Sequence, residues 1–134
     1  MFEIRVLELA FNRLRTDPQL LSILGENFEV FPVFSEKVPK FPFIVHKIDT
    51  RFDNDPVVTG IYRLDVWDFG LDRARMYAAV RRIRKLMESF MDPQGGGIRF
   101  FCRTCNYSTQ KEKIQRAELT FHVRGVDKDQ CTDD

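Results

Sequence analysis

The chain has 134 residues, 21 Lys and Arg against 20 Asp and Glu for a formal net charge of +1, and 43% hydrophobic residues with thirteen Phe among them. This length fits one domain with a sizeable core, and the apolar and aromatic content excludes intrinsic disorder. No apolar run approaches the roughly twenty residues that a bilayer span requires, and charges come too early at the N-terminus for a signal peptide, so no membrane partner is expected.

In residues 2–14 the apolar positions Phe2, Val6, Leu9, Ala10 and Leu14 share one helical face, which predicts a first amphipathic helix. Thr16-Asp17-Pro18 then supplies a cap followed by Pro at the first helical position, predicting a short second helix over 19–24 closed by Gly25. Residues 28–34 alternate weakly around Pro32, which lacks a ladder donor and so points to an edge strand or extended arm. Residues 35–40 read as a polar loop, and Phe41-Pro42 leads into a short apolar strand over 43–48. The polar, turn-rich residues 49–56 predict an exposed connection or long hairpin.

The next stretch organises the rest. Tyr62, Leu64 and Val66 alternate with Arg63 and Asp65 as in a half-buried strand, and after Asp68-Phe69-Gly70 the period changes. From Leu71, residues Met76, Ala79, Val80, Ile83, Leu86, Met87 and Phe90 form a helical stripe, so a helix of about twenty residues, roughly 30 Å long, is expected to start near Asp68 and Asp72 and stop at Asp92-Pro93. Its other face carries Arg75, Arg81, Arg82, Arg84, Lys85 and Glu88. Gln94-Gly95-Gly96-Gly97 reads as a turn, 98–107 as a strand with Ile98, Phe100 and Cys102 on one face, and 108–113 as a polar hairpin. The last strand alternates most clearly, with Ala117, Leu119, Phe121 and Val123 facing one way.

The expected fold is therefore α+β: a mainly antiparallel or mixed sheet of four to five strands against one long helix and an N-terminal helix. One domain over 1–125 and an acidic tail over 126–134 complete the organisation.

No catalytic constellation emerges. Gly95-Gly96-Gly97 runs from helix to strand, opposite to a phosphate loop. Cys102 and Cys105, with His122 and Cys131, have the composition of a zinc site, but residues three apart on a continuous strand face opposite ways. Three cysteines without a regular framework fit reduced thiols in a cytoplasm. His46 and His122 read as structural, and Asp65 and Asp68 lack partner groups for acid–base work. We expect no enzyme, metal or cofactor. The basic helix face is the most informative charge feature, with three uses in view: nucleic-acid phosphates, an acidic protein surface, or simple solvation. No aromatic residues interleave with its arginines, which disfavours stacking on single strands.

Several phrases, in order, resemble the siphophage tail completion or tail terminator proteins. They are residues 17–25 (DPQLLSILG), 39–45 (PKFPFIV), the strand 62–68 (YRLDVWD) with the amphipathic segment 73–87, and the closing strand 116–123 (RAELTFHV). The resemblance spans nearly the whole chain. It implies a non-enzymatic virion protein at the head–tail junction, assembled in the bacterial host cytoplasm. Such a protein forms a hexameric ring, starting as a monomer when free, that caps the tail tube protein and meets the head connector or head-closure protein. A neighbouring head-closure role and a small nucleic-acid-binding domain are the alternatives, and DNA passing through the ring would not be bound specifically. Closing a ring needs heterologous contacts, for which Arg75, Arg81, Arg82, Arg84 and Lys85, together with Arg51, Phe52, Asp53 and Asp55 of the 49–56 connection, are the candidate interface residues. That connection is expected to be mobile in the monomer and ordered on docking.

Overall fold

The computed structural model describes residues 2–32, 40–54, 57–92 and 97–126, without the side chains of Phe52, Asp53 and Asn54. Two long antiparallel strands form its centre, β3 (Val57–Phe69) and β5 (Ile114–Val126), paired without interruption from Val57↔Val126 to Phe69↔Ile114. β2 (Phe43–Asn54) lies antiparallel on the other side of β3, and β1 (Glu29–Phe31) runs parallel to β2 at one edge. At the opposite edge β4 (Arg99–Thr109) pairs with β5, giving the order β1-β2-β3-β5-β4. The helices are α1 (Phe2–Thr16), α2 (Pro18–Leu24) and α3 (Ala74–Glu88). This is a one-domain α+β fold with a mixed five-stranded sheet, as the alternation of the strands and the helical stripes indicate.

Alternation decides which face is covered. Val58, Tyr62, Leu64 and Val66 of β3 and Ala117, Leu119, Phe121 and Val123 of β5 are all buried, and they meet Val6, Ala10 and Leu14 of α1 and Met76, Val80 and Ile83 of α3 in one core. A fully buried Leu or Phe stabilises the fold by about 1.5–3 kcal/mol. All three helices contribute to that core, while the other sheet face carries no helix among the described residues. Gly60 on β3 lets the hairpin close, because a Cβ there would lie 2.7 Å from the Asp49 carbonyl oxygen.

Two expected boundaries move. β2 continues to Asn54, so residues 49–54 are strand, while Asp55 and Pro56 lie outside the described residues. The polar residues there fit a sheet with one uncovered face: Lys47, Asp49 and Arg51 point away from the helices, whereas Ile48 and Thr50 point toward them, and Thr50 Oγ1 donates to Glu3 Oε1 at 2.6 Å. The second change is that β3 runs through Asp68 to Phe69, so α3 begins at Ala74 and ends at Glu88, with 15 residues instead of about twenty. Pairing with β5 holds the chain extended to Phe69, Gly70 then turns at φ 134°, and Leu71 is left 82% exposed instead of joining the apolar stripe. The expected turn at 93–96 and the tail beyond Val126 lie outside the described residues. No helix among the described residues is long and apolar enough to cross a membrane.

Candidate protein-contact surfaces

At about 100° per residue, α3 has two polar flanks beside its buried stripe. Arg75 and Arg82, two turns apart, lie on the flank toward α2, and both are engaged within the molecule. Arg75 makes a two-pronged contact with Asp68, Nε to Oδ2 at 2.8 Å and Nη2 to Oδ1 at 2.5 Å. Arg82 holds Asp17 in the same way, at 2.8 and 2.6 Å. Asp17 also accepts from Leu20 N at 2.9 Å as the N-cap of α2, so one buried carboxylate caps one helix and ties down another. The hydrogen bonds from Arg82 hold the Asp17 carboxyl below its ordinary pKa, against the opposing effect of burial.

Arg81, Arg84 and Lys85 are exposed on the opposite flank, toward β4. Arg84 has a loose ion pair with Glu88 at 3.6 Å. Together with Tyr77, Cys105 and Tyr107 these side chains line a groove of about 690 Å³ between α3 and β4. Tyr77 and Tyr107 meet edge to face at 4.9 Å. Partial burial, with a contact to Cys105, pushes the Tyr107 phenol up to about 12, so it presents a neutral hydroxyl. The basic face of the sequence is thus divided: of the five expected contact cations on α3, two are structural and three border an open groove.

β4 corrects the expectation for its cysteines. Cys102 pairs with Phe121 and Thr104 with Thr120, so Arg103 is an extra residue in a bulge, and Cys105 returns to face the core side opposite Leu119. Both thiols are therefore on the helix-covered face, partly buried and unoxidised, and burial raises the Cys102 pKa. His122 points to the other face, and Cys131 is outside the described residues. Among the described residues no three His, Cys, Asp or Glu side chains gather as metal ligands.

Of the remaining expected contact residues, Arg51, Phe52 and Asp53 belong to the far end of β2. Arg51 is exposed there, opposite Thr59, and the Phe52, Asp53 and Asp55 side chains lie outside the described residues. His46 is buried in the core, its Nδ1 2.6 Å from Tyr62 Oη, and desolvation lowers its pKa to about 4. That makes it a neutral structural group at physiological pH.

The helix-free sheet face is a surface that the sequence reading missed. Phe31, Phe41, Phe43, Trp67 and Phe69 gather at one end of it, with Phe43 and Trp67 stacked at 6.1 Å and Phe41 and Phe69 at 5.9 Å. Phe69 is 54% exposed. Next to these rings Arg116 lies over Trp67 at 5.2 Å and bonds Asp65 at 2.8 Å and Glu118 at 3.1 Å. Burial dominates at Asp65, raising its pKa despite the arginine. The available signal was the odd-numbered positions of residues 61–69: Ile61, Trp67 and Phe69 are too apolar for a face meant only for water.

No protein-family model matches the chain, and no curated protein matches it by sequence. Among solved structures, the fold agrees with a chain from the virion of a native gene transfer agent particle, with a TM-score of 0.69 at 13% identity over 87% of this chain and 91% of the other. At that identity the agreement establishes a common fold, nearly end to end, between this chain and one component of a virion.

Proposed function

We propose that the chain is a non-enzymatic virion assembly protein that caps the completed tail tube and joins it to the head connector as a hexameric ring. The observation that carries this reading is the agreement in fold with a virion chain over almost the full length of both molecules. The resemblance of residues 17–25, 62–68 and 116–123 to tail terminator proteins narrows the role to the head–tail junction. Two surfaces of different character supply what a closed ring needs, the cationic flank of α3 and the aromatic end of the helix-free sheet face, since a heterologous contact joins unlike patches. Asp53 and Asp55, in the 49–56 connection of the sequence, are candidate partners for the cations on a neighbour. The nucleic-acid alternative loses ground because Arg75 and Arg82 are committed to carboxylates.

The deciding experiment is to mix the protein with purified tail tubes and head connectors and image the product. Six-fold density at one end of the tube, present only when the protein is added, is the expected result. Density on connectors alone would make it a head-closure protein, and an undecorated mixture would overturn the reading. Charge reversal tests the surface. Arg82 must be spared because Asp17 depends on it, so the informative variant is Arg81→Glu, Arg84→Glu and Lys85→Glu, expected to abolish capping while leaving the circular dichroism spectrum unchanged.

A further inference from the structure

The groove between α3 and β4 has the dimensions and charge of a site for an extended acidic peptide. From Tyr77 to Ser89 the helix rises about 18 Å, a length that roughly six extended residues cover. Arg81, Arg84 and Lys85 stand along it with only Glu88 as a counter-charge. Its other wall is β4, whose outer edge is bridged by Met91 at Arg99 and carries no strand from Phe101 to Thr109 among the described residues. The chain's own residues 127–134 read Asp-Lys-Asp-Gln-Cys-Thr-Asp-Asp. In an extended chain alternate side chains share a face, so Asp127, Asp129, Cys131 and Asp133 would all point one way. At steps of about 7 Å, two successive carboxylates can face Arg81 and the adjacent Arg84 and Lys85, which stand about one helical turn apart, with Cys131 left to lie near the thiol of Cys105.

We propose that residues 127–134 of one copy dock in this groove of the next copy, a strand-like arm that links neighbours head to tail. The proposal rests on the ring assembly described above and names one of its contacts. A neighbour's arm is favoured over the molecule's own. Val126 pairs with Val57 inside the sheet, so an arm turning back would first cross β4, a span of roughly 10 Å that consumes about three of its eight residues. It would then meet the Met91–Arg99 bridge at that same end of the strand.

The cysteines allow a test on the full chain. An equimolar mixture of a Cys131→Ser chain and a Cys102→Ser, Cys105→Ser chain is oxidised with copper phenanthroline. A disulfide-linked heterodimer, mapped to Cys131 and Cys105 by mass spectrometry, is the expected product. Adding Arg81→Glu, Arg84→Glu and Lys85→Glu to the Cys131→Ser chain should lower its yield at least tenfold. In parallel, a fluorescein-labelled peptide of residues 126–134 should bind the unmodified chain at least tenfold more tightly than the charge-reversed one, with affinity falling as salt rises. No heterodimer and no peptide binding, or indifference of both to charge reversal, would overturn the proposal. If the arm fails but the protein still caps tail tubes, the functional reading stands and only this contact is wrong.

Discussion

Asp17 shows how much one side chain can decide. It follows Thr16 and precedes Pro18, so its capping role was legible from sequence, but its bond to Arg82, 65 residues away, was not. Local rules see only the backbone donors within a turn, whereas the ion pair needs α2 and α3 to be neighbours. Asp17→Ala is expected to cost about 1–2 kcal/mol, seen as a lower urea midpoint, because the helix loses its cap while Arg82 loses its partner. His46 makes a second residue-level prediction. Its pKa is near 4 in the folded chain against an ordinary 6.5, so the folded state favours the neutral ring. This contribution is complete above pH 6.5 and is lost as pH falls toward 4. Between pH 7 and 4.5 the loss is roughly 2–3 kcal/mol, to be read from urea midpoints at the two pH values and absent in His46→Gln if that variant folds.

Among the elements, α3 best explains what a sequence does and does not reveal. The buried stripe from Met76 to Met87 was readable because burial imposes a period. The sorting of its cations was not, since Arg75 and Arg81 look alike until Asp68 and β4 are placed on either side. Pairing at Arg75 and Arg82 fixes the rotation of the helix about its own axis, which keeps Arg81, Arg84 and Lys85 aimed at the groove. Arg13 of α1 adds a third restraint by donating to the Leu86 carbonyl at 2.8 Å, satisfying an acceptor near the end of α3. The strands were legible to the same degree. β5 follows simple alternation throughout, while the polar residues 49–54 have the composition of a loop yet continue β2, because on a sheet with one open face polar residues can extend a strand.

For the whole molecule, a charge near zero conceals two unlike surfaces on opposite sides of the sheet. The α+β class followed from element order alone, because helices must bury their stripes on one face of the strands. Which face stayed open, and that it carries an aromatic cluster, depended on pairing across the sheet and could not be read from any one segment. If that cluster is a subunit contact, Phe41→Ser with Phe69→Ser should weaken ring formation on tail tubes by at least tenfold in protein concentration. Both rings are partly exposed, so the folded monomer should lose no more than about 2 kcal/mol, read from its urea midpoint. Unimpaired capping by this variant would show that the aromatic end serves no subunit contact.

The bulge at Arg103 acts as a phase shifter in β4. Before it, the even-numbered positions Phe100 and Cys102 face the helices; after it, the odd-numbered Cys105 and Tyr107 do. One added residue therefore sets the chemistry of the groove wall, because a strand of uninterrupted parity would offer Thr104 and Asn106 there in their place. Pairing Arg103 into the ladder would exchange a thiol and a phenol for a hydroxyl and an amide, whereas deleting it would leave Cys105 and Tyr107 on the helix face. A groove of this kind can thus change its preferred occupant through the register of a strand as readily as through the identity of its side chains.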